Sequence, residues 1–119
     1  MDKLDAVSAM AALAQEHRLE VYRLLVQAGP QGLAAGEVAS ALGIAPNTLS
    51  FHFDRLRRTG LISVARHGRS LIYAARYETM NNLLAYLTEN CCGGRPELCE
   101  PAACAPAKSP RKRKKETVR

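Results

Sequence analysis

Apolar residues recur along the chain at helical spacing in five places, with a stretch of β-type pattern before the last. Leu4, Val7, Met10, Ala11 and Ala14 predict an amphipathic first helix. A second is predicted over residues 17–28, with Leu19, Tyr22, Leu25 and Val26 on one face and Gly29-Pro30 as its stop. Residues 31–33 read as a connector. A short third helix over 35–42 turns Val38, Ala39 and Leu42 inward and stops at Gly43. Pro46 opens a fourth, where its missing N–H is not needed, and Leu49, Phe53 and Leu56 at i, i+4, i+7 form its buried face before Gly60.

Residues 61–66 and 70–74 carry β-branched and aromatic side chains on either side of the turn-prone pair His67-Gly68, the pattern of a hairpin. A last helix over 77–90 aligns Met80, Leu83, Leu84 and Leu87. Two short helices joined by a glycine-containing turn and followed at once by a hairpin describe a mainly α winged helix-turn-helix with a β-hairpin wing. After Gly93-Gly94 the composition turns to Pro, Ala and Cys, and then to Lys and Arg. The expected organisation is a DNA-binding and dimerisation domain over 1–90, a cysteine-containing segment over 91–107 and a basic disordered tail over 108–119.

Composition sharpens this picture in two places. The formal net charge of +6 belongs to the tail: residues 108–119 hold seven basic side chains and one acidic, while the rest of the chain is balanced. That tail either adds sequence-independent DNA affinity through phosphate neutralisation or serves as a solubilising extension. Within the domain, Arg55, Arg57, Arg58, Arg66, Arg69 and Arg76 cluster with Asp54 as the sole acid among them, which points to a polyanionic partner. The 119 residues suit one small domain, and no run approaches the roughly 18 apolar residues of a membrane span. With no signal-like start, a cytoplasmic protein with no membrane partner is expected.

In a helix-turn-helix the second helix enters the major groove. The positions expected to face DNA from it are Asn47, Thr48, Ser50, Phe51, His52 and Arg55. Asn, Thr and Ser hydrogen-bond base edges, Phe51 could touch a thymine methyl group, and Arg55 could reach phosphate or guanine. Arg57 and Arg58 are placed to hold the backbone. Arg66 and Arg69 flank the hairpin tip, from which they can meet phosphates or a narrow minor groove. Each residue alone reads equally well as part of a solvated surface; it is the combination that points to DNA.

The run Gln15, Glu16, His17, Arg18, Leu19 onward to Leu25 resembles the second helix of the ArsR/SmtB family of bacterial metalloregulators. Leu49, Ser50, Phe51, His52 and Phe53, continuing to Ile62, are similar to that family's recognition helix and first wing strand, and His67, Gly68 and Arg69 through Tyr73 to its wing. The resemblance implies a homodimer, built by the first and last helices, that represses its own operon at an imperfect palindrome. Phe53 stands where the family usually has leucine. Asp54 stands where a basic or neutral residue is common; beside DNA an acid costs affinity, so it is expected to point away or to pair with an arginine.

The family's effector sites lie in different places. Residues 34–38 lack the cysteines of one site, and the last helix has Glu78 and Glu89 but no histidine for the zinc site of another. What remains is Cys91, Cys92, Cys99 and Cys104, all after that helix. Residues 86–92 resemble a subgroup of arsenic repressors with a vicinal pair here and a third cysteine further on. Trivalent arsenic is soft and takes three thiolates, so Cys91, Cys92 and Cys99 are the expected ligands, with Cys104 as a substitute. Antimonite and methylarsenite fit similar ligand sets. Zinc held by all four thiols, another soft metal, or thiol oxidation are the alternatives. No cofactor is expected to be needed for folding. An enzyme is not expected: cysteine-based arsenate reductases and phosphatases separate the cysteine from an arginine by five residues, and Arg95 lies too close to Cys91 and Cys92.

Overall fold

The computed structural model describes residues 1–95 and Leu98. The chain divides into a unit over Met1–Glu89 and a second beginning at Asn90. The first unit runs α1 (Lys3–Leu13), α2 (Glu16–Ala28), β1 (Leu33–Ala34), α3 (Ala35–Leu42), α4 (Pro46–Arg58), β2 (Ile62–His67), β3 (Ser70–Ala75) and α5 (Tyr77–Leu87). This is the winged helix-turn-helix the apolar pattern predicts.

Each boundary has a local cause. The Asp2 carboxylate caps α1 by accepting from the Asp5 amide at 2.8 Å, and the Gln15 side chain caps α2 from Arg18 at 2.9 Å. Glu37 reaches back to the Ala34 amide at 2.8 Å and closes the first turn of α3. Gly43, at φ 65°, ends α3 in the left-handed conformation that only glycine adopts without cost. Pro46 supplies the preset φ at the start of α4.

The sheet has order β1-β3-β2 and is antiparallel throughout. The segment read from sequence as a plain connector supplies β1, with Leu33 opposite Tyr73 and Ala34 opposite Ile72. Two residues are too few for a period-2 signal, so only the pairing reveals this strand. It demands Gly32 beside it: at φ 72° a Cβ there would overlap the Tyr73 carbonyl oxygen. The hairpin between β2 and β3 turns at Gly68 and Arg69. Positive φ occurs at Gly68 alone of the two, as in a type II′ turn.

The core is built from Val21, Tyr22, Leu25, Val38, Leu49, Phe53, Leu56, Leu61 and Ile62. Phe53 stacks on Tyr73 with ring centroids 3.7 Å apart, fastening α4 to the wing. The phenylalanine at this core position is therefore accommodated by an aromatic partner. Tyr77 Oη donates to the Val26 carbonyl at 2.9 Å, and Thr79 Oγ1 to Gly60 at 2.7 Å; both tie the start of α5 to the domain. Burial, and to a lesser degree Tyr77, push the Tyr22 hydroxyl up to about 12.

α1 buries a different face from the one its large apolar residues mark, whereas α2 buries the expected Tyr22 and Leu25, and α5 buries only part of its stripe. In α1 the buried residues are Ala6, Ala9 and Ala12, whereas Leu4, Val7 and Met10 are 74%, 52% and 39% exposed. Small side chains let α1 approach closely, and the larger ones point away from the chain's own core. In α2, Val21 is buried and Leu19 exposed. In α5 only Leu83 is fully buried, while Leu84 and Leu87 are exposed. α5 also closes at Leu87, earlier than its pattern predicts, where Thr88 Oγ1 donates to the Leu84 carbonyl at 2.7 Å.

Candidate nucleic-acid interface

α3 packs against α4, and α4 runs directly into the wing through Thr59-Gly60. Leu49, His52, Phe53 and Leu56 form the buried stripe of α4. At 100° per residue the opposite side is led by Asn47, Phe51, Asp54 and Arg58, flanked by Ser50 and Arg57 on one edge and by Thr48 and Arg55 on the other. All of these are exposed except Asp54, which is half-buried. Phe51 is the extreme case at 74% exposed, a large cost in water for a residue with no apolar neighbour to cover it. Asn47, Ser50, Phe51 and Asp54 line a shallow groove on this face.

His52 is corrected by the structure. It was expected to face DNA, yet it is 9% exposed and lies on the inward stripe. Its ring sits 5.8 Å from that of His17, centroid to centroid, and its Nε2 has no hydrogen-bond partner among the described residues. Burial first, then His17 and Arg18, push its pKa below the ordinary histidine value. Arg18 is held in place by donating from Nε to the Ala12 carbonyl at 2.6 Å. The signal was present in the sequence: position 52 is i+3 from Leu49 and i−4 from Leu56, which is the core spacing.

Asp54 pairs, as expected, but does not point away. One carboxylate oxygen accepts from Arg57 Nη2 at 2.9 Å and the other from Arg58 Nε at 2.8 Å. With Arg57 and Arg58 about half and more than two-thirds exposed, each pair contributes about 0.2–1 kcal/mol. Among the described residues, no ion pair engages Arg55, Arg66 or Arg69. Arg66 lies on β2 opposite Leu71, on the same side of the hairpin as Tyr73, and Arg69 occupies the turn itself. Free guanidiniums therefore stand at the edge of α4 and along the wing.

The second unit begins with a short, kinked 3-10 segment over Cys91–Gly94, whose Cys92 and Gly93 leave the right-handed helical region. Both thiols are free and half-buried. Asn90 and Cys92 carry φ of 58° and 60°, and Gly93 and Gly94 continue the positive-φ run. Asparagine tolerates this region; for cysteine it costs about 1 kcal/mol or more. Cys99 and Cys104, the remaining candidate ligands, lie outside the described residues, as does the basic tail. Among the described residues no three metal-ligating side chains converge. No described helix is long and apolar enough to cross a membrane.

The chain matches a helix-turn-helix domain family over residues 13–65. It is 34% identical over 73 residues to the uncharacterised HTH-type transcriptional regulator YceK of Bacillus subtilis, spanning 61% of this chain and 72% of that one. Among solved structures it is similar to HlyU of Vibrio cholerae, at 32% identity and TM-score 0.59 over 73% of this chain and 97% of the other. An ArsR-like transcriptional regulator from Rhodococcus sp. RHA1 superposes with TM-score 0.64 at 25% identity, over 71% and 76% of the two chains. The homodimeric winged helix-turn-helix DNA-binding domain Mb0332 of Mycobacterium bovis does so with TM-score 0.59 at 27% identity, over 71% and 77%. These proteins are transcriptional regulators and not enzymes. The chain belongs to the ArsR-type winged helix-turn-helix transcriptional regulators.

Proposed function

We propose that this regulator binds operator DNA as a homodimer, represses transcription, and is released when trivalent arsenic is bound by Cys91, Cys92 and Cys99. The observation that carries the effector assignment is the vicinal pair of free thiols that follows α5 in the chain. Two adjacent thiolates satisfy two of the three bonds of a pyramidal arsenic(III) centre, and Gly93-Gly94 permit the chain to return a third. Cys104 is the substitute third ligand. Antimonite and methylarsenite fit the same donors.

DNA recognition by α4 and the wing rests on the polar outward stripe and on the unpaired Arg55, Arg66 and Arg69, with Asn47, Thr48, Ser50 and Phe51 toward the bases and Arg57 and Arg58 toward the backbone. Dimerisation through α1 and α5 rests on Leu4, Val7, Met10, Leu84 and Leu87, five exposed apolar side chains that water alone would cover in a monomer. The homodimeric assembly of Mb0332 supports this reading. HlyU is named a transcriptional activator, and the same DNA contact serves either outcome. Release by an effector favours repression, because it switches expression on. Gathering thiolates around one ion orders the chain directly after a dimerisation helix. A coupling of about 1–3 kcal/mol between effector and DNA is typical of such linkage.

The test is fluorescence anisotropy of the full chain on a fragment of its own promoter, under reducing conditions, with arsenite titrated in. Arsenite releases the DNA from the wild type and from Cys104→Ser, and fails to do so in Cys99→Ser. Tight binding indifferent to arsenite would remove the effector and leave the DNA-binding regulator. Thiol oxidation is the second reading, favoured by two free adjacent thiols and by the solution of V. cholerae HlyU in a form described as reduced. It requires release by diamide without arsenite and recovery on reduction.

A further inference from the structure

Asp54 occupies a position that a DNA-facing helix has reason to avoid. It lies between Phe51 and Arg58 on the outermost stripe of α4, and it lines the groove formed with Asn47 and Ser50. The two arginines bring the charge of the trio from −1 to +1 and hold the carboxylate: Oδ1 accepts from Arg57 at 2.9 Å and Oδ2 from Arg58 at 2.8 Å. Each oxygen has a second acceptor site left, and the guanidiniums occupy one each. What stands on this face is therefore an immobilised acceptor looking for a donor.

Duplex DNA offers few donors to such a group. Phosphates are acceptors, and so are guanine N7 and O6 and thymine O4 in the major groove. The donors are the amino groups of cytosine N4 and adenine N6, and adenine adds N7 beside its amino group, an acceptor that a carboxylate repels. Cytosine is the base that Asp54 accepts from without a clash. Resting on the DNA-binding role proposed above, we propose that Asp54 is a specificity-determining residue that reads a cytosine N4 amino group in each half-site. Arg57 and Arg58 hold it in position for that contact. Opposite guanine or thymine the carboxylate meets acceptors, and opposite adenine it meets N7 beside the amino group, so it weakens binding to non-cognate DNA as well as rewarding the correct base.

The experiment is selection from a randomised duplex pool by the full chain, carried out in parallel with the wild type, Asp54→Asn and Asp54→Ala. Thermal melting checks that all three fold, which is expected because Asp54 is half-buried on the outward face and outside the core. The wild type enriches a motif with cytosine at one position per half-site. Asp54→Ala loses the preference at that position and keeps the remainder. Asp54→Asn shifts it toward adenine, because an amide pairs with N6 and N7 together. Both variants bind a non-cognate duplex about threefold or more tighter at 100 mM salt, as expected from removing one charge that opposes phosphate contact. A motif identical in all three proteins would overturn the assignment to Asp54. Enrichment of no motif by the wild type would remove the DNA-reading role itself, and this inference with it.

Discussion

α1 and α4 are helices of similar length that solve opposite problems. α4 sorts its side chains by polarity: Leu49, Phe53 and Leu56 go inward, and Asn47, Ser50, Asp54 and Arg58 go outward. α1 sorts them by size. Alanines at 6, 9 and 12 take the inward face, and leucine, valine and methionine take the outward one. The difference is informative because both outward faces are paid for by the rest of the domain. An outward polar stripe with one exposed phenylalanine suits the edges of bases, whereas an outward apolar stripe suits another apolar surface.

The comparison breaks most forcefully at the core end of α4. Leu56 is fully buried, so Leu56→Ala removes packing and leaves a cavity; a loss of about 2–5 kcal/mol is expected. A drop in melting temperature of less than about 5 °C would mean that α4 is anchored chiefly by something other than this stripe. On α1, the double change Leu4→Glu with Val7→Glu is expected to leave the monomer's fold intact, since both residues are exposed in it. Light scattering at micromolar concentration should then report a monomer, against the dimer proposed for the wild type. A dimer unmoved by two buried charges would place the subunit contact elsewhere.

Phe51 sharpens the comparison at the reading face. If its ring meets a thymine methyl group, replacing one operator thymine at a time with deoxyuridine weakens wild-type binding at a single position by about 1 kcal/mol. Phe51→Ala binds the two duplexes alike. Equal sensitivity in both proteins would assign the methyl contact to another side chain.

The smallest expected effect concerns His52, the residue of α4 that faces His17. Its folded-state pKa lies below that of the unfolded chain, so protonation favours unfolding. The stability contributed by the neutral ring is present above the unfolded value near 6.5 and is lost as pH falls from there through the folded value. Melting temperatures taken between pH 7.5 and 5 should fall more steeply for the wild type than for His52→Gln. Parallel curves would show that the proton is taken up without cost, for instance by movement of the ring toward solvent.

Much of this protein was legible in the order of its residues. Helix limits at Gly29, Gly43 and Pro46 follow from φ preferences that hold wherever those residues occur, and the strict core spacing of Leu49, Phe53 and Leu56 set the orientation of α4. The wing was visible for the same reason, since β-branched residues flanked a glycine turn. Asp54 could be foreseen as a paired acid from the arginines three and four residues after it, a distance at which side chains on one helix always meet.

Other features depend on contacts between residues far apart in the chain, which local periodicity does not encode. β1 exists because Leu33 and Ala34 lie beside Tyr73 and Ile72. Apolar spacing in α1 and α5 marks a stripe without saying which surface will cover it, so in α1 alanines met the core and in α5 only Leu83 of the stripe did. His52 is not among these: its place at i+3 from Leu49 and i−4 from Leu56 put it on the inward stripe already in the sequence. Burial is a property of the packed chain, and for α1 and α5 only packing could assign it.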